Sequence, residues 1–538
     1  MPRNNETNSN GVARKFFAMP NPGLRSYFDI VKQGQPDEYR TPFAKGKKPQ
    51  EVLKEWDAYL QPYADKWPAL LEFENDLGSK VGPMSIMKPL EERRQDIEHY
   101  YTDISLQSRP IDERAVKAVI AEFAPLKGLR IRGQQHTVDQ MKKSTNSGSP
   151  YFLKRRLVTD KTIPCTVFLG KSKSVYQKLP TGLWQAAAVL GWRGQEGGPS
   201  KDDVKQRVVW MFPYAVNIAE LQVYQPLIEA AQLHNLVPAW VSMDAVAERI
   251  TKMFDTKGKD DLVICTDFSK FDQHFNEDMS SCASQILSEL LTPTPEAEVW
   301  LRTVFPIKYN IPLLVQMNEV MTGRHGMGSG SGGTNADETL SHRALQYESA
   351  ILANSKLNPN SQCLGDDGVL TYPGITVEDV IRSYAAHGQE MNESKQRVST
   401  HDCIYLRRLY DQDYRVNGIC RGVYSTKRAL GRLMEQERYF DPAVWSAEGV
   451  AMRQLSIIQN CEWHPAKEEF VQFCMKRDNY RLGLDIPGFL DNVDRIAKKF
   501  TDLMPDFLGY TKTMQRDRRE QGSGMSDWWI VKYLKSLR

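Results

Sequence analysis

The spacing of apolar positions changes period along the chain, and each change marks a predicted element. From about Gln50 to Glu122 the period is helical. Val52, Trp56, Tyr59 and Leu60 fall on one face, and Asn75-Asp76, Gly78 and Gly82-Pro83 are expected to interrupt the pattern. DLVICTDF, 261–268, is a short apolar run rich in β-formers and predicts a buried strand. After Asn276, a suitable N-cap, Met279, Cys282, Ala283, Ile286, Leu287 and Leu290 recur at helical spacing. Gly326–Gly333, GMGSGSGG, predicts a loop that leads into the helical pattern TNADETLSHRALQYESAIL. SQCLGDDGVLTYP, 361–373, predicts strand, tight turn, strand, because Asp-Gly is a strong hairpin signal. Beyond about Asp411 the pattern is mostly helical. Residues 1–50, rich in Asn, Pro, Gly and Lys with Phe16, Phe17, Tyr27 and Phe28 interspersed, predict an extended arm lying on the rest of the protein.

A chain of 538 residues implies three to five domain-sized units or one large multi-lobed enzyme. With 41% hydrophobic residues it can bury sizeable cores, which excludes a disordered, collagen-like or disulfide-scaffold chain. Charge is nearly balanced, 70 Lys+Arg minus 67 Asp+Glu giving +3, so the distribution of basic residues carries more information than their total. Six of them fall in 142–161 against the single Asp160, around a Gly/Ser/Pro turn. Eight scattered cysteines without a CxxC pair argue against a disulfide framework or a zinc site, and for a reducing compartment. No apolar stretch follows Met1 and no run of eighteen apolar residues occurs, so neither a signal peptide nor a membrane span is expected.

The chemistry-bearing residues collect at two predicted strand ends. Asp267 closes the 261–268 strand, and Asp366 and Asp367 occupy the turn of the later hairpin. If those strands are neighbours, three carboxylates meet in one cleft and repel one another unless divalent cations neutralise them. Hard Mg²⁺ or Mn²⁺, held by a few Asp oxygens and by substrate phosphates, meets that need. Two such ions, about 3.5–4 Å apart, would clamp the attacking and leaving oxygens of an in-line phosphoryl transfer. Taken singly, Asp-Asp-Gly is a common turn and a Gly-rich loop a common linker. Their order and company decide.

TDFSKFDQHF (266–275), GMGSGSGGTNADETL (326–340) and LGDDGVL (364–370) resemble, in this order, motifs A, B and C of viral RNA-dependent RNA polymerases. SGSPY (147–151) is similar to their motif G, KQRVVWMFP (205–213) to the basic motif F, MNESKQ (391–396) to motif D, and CIYLRRLY (403–410) to the hydrophobic hairpin of motif E. The likeness runs from about residue 145 to 410. It is strongest to double-stranded RNA viruses with small segmented genomes and, in size and in the form SGSGGTNADETL, to the picobirnaviruses.

The resemblance implies an α+β right hand. Its fingers would span 110–207 and 276–334; its palm, an antiparallel sheet flanked by helices, 208–275 and 335–410; and its thumb and C-terminal tail 411–538. Residues 1–109 would form an N-terminal bridge from fingers to thumb. The implied reaction is templated attack of an RNA 3′-hydroxyl on the α-phosphate of a ribonucleoside triphosphate, with two Mg²⁺ (or Mn²⁺) per site. Asp267 and Asp366 would be the principal metal ligands, Asp367 would assist, and the carbonyl of Phe268 would complete a shell.

Asp272 lies five residues after Asp267, where a carboxylate can accept from a ribose 2′-hydroxyl that deoxyribose lacks. Ser329-Gly330 and Gly332-Gly333 would let the backbone pass close to a template nucleotide and the incoming ribose, and Thr334 would open the helix and help set Asp272. Many relatives carry Asn four residues after that Thr. Here the position is Glu338, so either Asn335 substitutes or a carboxylate does the job differently. Lys205 and Arg207, alternating on a presumed strand, would place two cations over the triphosphate. Lys395 would act as general acid toward pyrophosphate.

Lys142, Lys143, Lys154 and Arg155, around Ser147, Gly148 and Pro150, would track template phosphates, with Tyr151 and Phe152 available to stack on bases. The implied partners are single-stranded RNA template, nascent RNA, double-stranded RNA product, ribonucleoside triphosphates and capsid protein, with no membrane. The implied location is the virion interior, and the host cytoplasm during synthesis. His274, His325, His342 and His387 show no ligand spacing. Gly522-Ser523-Gly524 reads as a hinge before Trp528, Trp529 and Tyr533, which either anchor on the body or plug the product cavity. Two rival readings remain: a reverse transcriptase or other two-metal nucleotidyl enzyme, which Asp272 disfavours, and a non-catalytic RNA-binding virion protein, which the intact aspartates disfavour.

Overall fold

The computed structural model describes residues 10–439, 445–501 and 524–538. Two sheets position the site. In one, β1 (Ala188–Gln195) and β2 (Lys205–Met211) form a long antiparallel hairpin, Gln195 opposite Lys205, with β1 also paired in parallel to a strand over Leu313–Gln316. The other sheet holds β3 (Val263–Thr266), β4 (Gln362–Leu364), β5 (Asp367–Leu370) and β6 (Arg397–Ser399) in the order β4–β5–β3–β6, every pair antiparallel. β3 is buried throughout, as its unbroken apolar sequence requires. A further hairpin, β7 (Asp402–Tyr405) and β8 (Arg408–Asp411), follows directly.

The arm is not extended. Asn21 accepts from Leu24 N and starts helix α1 (Pro22–Gln33), whose Leu24, Phe28 and Val31 join Phe16 and Phe17 in the large central core. Pro49 then opens α2 (Pro49–Leu60), which buries Val52, Trp56 and Leu60, but its Tyr59 is 46% exposed and stacks on Trp56 from outside. α3 (Pro68–Ser79) runs through Asn75-Asp76 and Gly78 because Leu70, Phe73 and Glu74 pin its inner face, so the chain breaks only after Ser79.

The described residues form two main cores. One takes residues from Ala13 to Cys420. The other joins Phe43, Val52, Trp56 and Leu60 to side chains between Tyr424 and Leu534, so the N-terminal segment packs into both. α4 (Tyr214–Leu233) lies in the first core, as do α5 (Glu277–Leu290), capped by Asn276 as its sequence predicts, and α6 (Thr334–Leu352). α7 (Trp529–Ser536) closes the second with Ile530, Val531 and Leu534. The expected hinge residues Gly522 and Ser523 lie outside the described residues. Among the described residues no helix is long and apolar enough to cross a membrane.

Candidate active site

Across the β3–β5 pairing Gly368 stands opposite Thr266, so Asp267 and Asp367 leave the sheet at the same edge. The β4–β5 turn lies one residue earlier than the expected Asp366-Asp367. Leu364 pairs with Asp367, which leaves Gly365-Asp366 as the two-residue turn, and Gly365 supplies its positive φ of +57°. Helix α6 holds that turn: Gly365 N donates to Thr339 Oγ1 at 2.9 Å, and His342 Nδ1 lies 2.8 Å from the Gly365 carbonyl. Burial holds the His342 ring near a pKa of about 4, so the ring is neutral at pH 7 and its Nδ1–H donates to that carbonyl.

Asp267 and Asp366 are both exposed, yet the surrounding protein strips enough water to raise the pKa of both. For Asp366 the neighbouring Asp272 and Asp267 raise it further and Arg207 opposes them; for Asp267 the opposing charges are Lys395, Lys205 and Lys80. Two carboxylates at one sheet edge, partly dehydrated and acting on each other, form an all-oxygen donor set suited to a hard divalent cation.

Asp367 departs from the expected trio. Its Oδ2 accepts from Leu406 N at 2.8 Å, in the β7–β8 turn, and burial followed by Asp366 pushes its pKa to about 7. It ties the two hairpins together. Among the described residues the metal-ligating group that gathers within 4.8 Å is instead His401, Asp402 and Asp411, where Arg397 already occupies Asp402 at 3.0 Å.

Asp267 itself sits in a gap between strand ladders, and Gln396 fills it. Gln396 Oε1 accepts from Asp267 N and its Nε2 donates to Asp267 O, both at 2.8 Å. Lys395 beside it is exposed, and its charge reaches Asp267. Lys205 and Arg207 lie exposed on the same face of β2, as their alternation predicts. Lys80, just after α3, and Arg407, in the β7–β8 turn, crowd in beside them. Burial first, then these three cations, lowers the pKa of Lys205. Glu196 is the carboxylate among them, paired to Arg428 and 4.0 Å from Arg407. Such a surplus of positive charge suits a polyphosphate.

The Gly-rich loop lies against β2: Ser329 O accepts from Trp210 N at 2.7 Å, and Ser329 Oγ lies 3.3 Å from Val208 O. Gly330 has φ +122°, and a Cβ there would meet Trp210 O at 1.9 Å, so glycine is required. From below, buried Glu220 of α4 accepts from Ser331 Oγ and from Gly332 N. Burial drives its pKa to about 7. Asp272 is half-buried, with its carbonyl accepting from Met327 N at 2.8 Å, so this loop and motif A are linked through the backbone. Thr334 does open α6, but its hydroxyl points at Gly328 O, 3.4 Å away, not at Asp272. Asn335 is held by Trp240 Nε1, which donates to its Oδ1 at 2.8 Å. Glu338 is the residue in contact with Asp272.

The basic stretch divides in two. Lys154 and Arg156 are exposed and Lys142 and Lys143 half-exposed, whereas Arg155 stacks over Tyr214, 5.1 Å to the ring centroid, and donates to Lys142 O. Ser147, Gly148 and Pro150 are buried, forming the junction between the N-terminal arm and the start of α4: Ser149 Oγ donates to Phe16 O, and Tyr214 N to Ser147 O. Phe152 is buried against Phe17 and Tyr27 and offers no stacking face. Lys80, Glu220 and Gln396 were not singled out by sequence.

Residues 90–464 match the viral RNA-dependent RNA polymerase family, and the chain belongs to that family. It is an RNA-directed RNA polymerase of the α+β fold expected from the motifs. Among its relatives, a potential RNA-dependent RNA polymerase of human picobirnavirus (strain Human/Thailand/Hy005102/-) is 59% identical over 530 residues, covering 98% of this chain and 99% of that one. Two crystal structures of a human picobirnavirus polymerase, each aligned over 98% of this chain and 99% of theirs, are also similar. One has a TM-score of 0.93 at 58% identity; the other, an insertion-loop deletion mutant, has 0.92 at 56%.

Proposed function

We propose that this polymerase replicates and transcribes a double-stranded RNA genome by two-metal nucleotidyl transfer, with Asp267 and Asp366 as the pair that holds the cations. The observation that carries the reading is the convergence of these two carboxylates, from stretches about a hundred residues apart, opposite the cations of β2. Mg²⁺ (or Mn²⁺), when bound, supplies the positive charge that acidifies the attacking 3′-hydroxyl and offsets charge on the phosphate. Asp267 and Asp366 hold that charge in place, with the Phe268 carbonyl as a third oxygen. Asp367 acts one step back, through the hairpin it anchors.

Lys205 and Arg207, with Lys80 and Arg407 beside them, bind and orient the triphosphate and offset the charge of the departing pyrophosphate. Lys395 gives its Nζ proton to that pyrophosphate. Ser329 and Gly330 shape the pocket for the templating base and sugar, Thr334 and Asn335 hold the start of α6, and Asp272 accepts from the ribose 2′-hydroxyl. Lys142, Lys143, Lys154 and Arg156 follow the template backbone in a sequence-blind, salt-sensitive manner.

The fingers, palm and thumb of this hand fall at 110–207 with 276–334, at 208–275 with 335–410, and at 411–538. The two-core packing of residues before 110 supports their role as a bridge. The viral relatives support action inside the virion, next to capsid protein, and in host cytoplasm. The test is incubation of purified protein with an RNA template, four ribonucleotides and Mg²⁺. Wild type makes full-length complementary RNA, whereas Asp366→Asn makes none while binding RNA normally. Synthesis by the Asp366→Asn protein would end the proposal.

A further inference from the structure

Residues 161–185 contain four lysines and no Asp or Glu, in a chain that carries 67 acidic residues. They fold into a three-stranded antiparallel sheet, Thr166–Leu169, Val175–Leu179 and Gly182–Gln185, separate from the two sheets around the active site. Alternation along the strands gives it two unlike faces. Val167, Val175, Gln177 and Leu179 are buried on the inner one, where Gln177 Nε2 donates to Ser149 Oγ at 3.0 Å and fastens the sheet to the 147–151 turn. The hydroxyls of Thr181 and Tyr151 meet at the same junction. Lys154, one of the cations assigned to the template backbone, follows directly on that turn.

The outer face is built differently. Phe168 and Tyr176 stand directly opposite each other on neighbouring strands, both half-exposed, with ring centroids 5.4 Å apart and planes 24° apart. Neither ring joins a hydrophobic core of the described residues. The next row of this face is Thr166, Lys178 and Leu183, all exposed. Lys171 and Lys173 stand exposed in the turn between the first two strands, and Lys161 lies 6.0 Å over the Tyr151 ring. Among the described residues Lys171, Lys173 and Lys178 form no ion pair. Aromatic rings on adjacent strands of an open sheet are a platform on which unpaired bases stack, and lysines around it take the phosphates between those bases. We propose that the outer face of this sheet is an accessory site for single-stranded RNA, which holds the unread part of the template outside the groove of Lys142, Lys143, Lys154 and Arg156. The inference rests on the polymerase reading for the identity of the strand and adds a contact surface beyond it.

The experiment measures binding of labelled single-stranded RNA to the full-length protein without nucleotides, with a short oligonucleotide that only fills the groove and a longer one that overhangs it. Phe168→Ala with Tyr176→Ala weakens binding of the longer RNA at least about fivefold, the low end for one lost stack of a base on an aromatic ring, and leaves the short one unchanged. Lys171→Gln, Lys173→Gln and Lys178→Gln together make the dependence of log affinity on log salt for the longer RNA shallower by about two. If the aromatic variant fails to fold, the lysine variant is read alone. Folded variants that bind both RNAs like wild type overturn the proposal, and if they have lost binding to capsid protein the face is a protein interface instead. An equal loss on the two lengths also overturns it. Synthesis by wild type on a short template is read separately: its absence sinks the polymerase reading, whereas the overhang effect is judged on binding alone.

Discussion

Asp267 leaves β3 before a second short ladder, Phe268-Ser269 with Glu390-Met391, begins, so its backbone has no strand partner. Gln396 stands in for one. Replacing it with Leu removes three hydrogen bonds, two to Asp267 at 2.8 Å and one to Asn392 O at 3.0 Å. At a net 0.5–1.5 kcal/mol each, the loss is about 1.5–4.5 kcal/mol. Because Asp267 is exposed, water re-satisfies part of it, and about 2 kcal/mol is expected. If that freedom appears as misplacement of the carboxylate, the rate of nucleotide addition falls roughly 30-fold. Single-turnover extension of a primed template measures this, alongside thermal melting and RNA binding. A Gln396→Leu protein that extends at the wild-type rate would refute the idea that this side chain aims Asp267.

Three more outcomes follow from buried groups. The Glu220 pKa rises from an ordinary 4.5 to about 7, so burial of this acid costs nothing below pH 4.5 and progressively more as pH climbs through 7; Glu220→Gln should gain stability over wild type at pH 8, up to about 3 kcal/mol, and little at pH 5. Identical pH profiles of melting in the two proteins would contradict this. Gly330→Ala, whose Cβ would lie 1.9 Å from Trp210 O, must displace the loop from β2, and elongation should slow at least tenfold on the scale of roughly 1.5 kcal/mol; unchanged elongation would show that the loop does not need this contact. Truncation after 523 strips Ile530, Val531 and Leu534 from the second core, at roughly 1.5–3 kcal/mol apiece, and should lower the melting temperature without raising primed synthesis. Increased primed synthesis by the truncated protein would favour a plug.

Local pattern carried what local physics controls. Asn276 and the six apolar positions after it form a capped helix because the cap and the spacing lie within one element. Val263 to Thr266 form a central strand because nothing in the run tolerates water. The hairpin was legible but its register was off by one. Asp-Gly is a turn signal only when no neighbour competes, and here Thr339 and His342 bind Gly365 from α6 and fix the turn there. Ser147 and Pro150 look like an exposed turn, yet the arm some 130 residues earlier covers them. Lys80 carries no local signal at all, since its importance comes from packing of the N-terminal segment beside β2. Glu338 showed as a departure from the family pattern, and only the fold reveals that it is buried beside Asp272.

The most direct test of the central claim is anomalous scattering from crystals of the protein with RNA, an unreactive ribonucleotide analogue and Mn²⁺. Two peaks about 3.5–4 Å apart, touching the carboxylates of Asp267 and Asp366, are predicted. Peaks at His401, Asp402 and Asp411, with none between 267 and 366, would contradict the account.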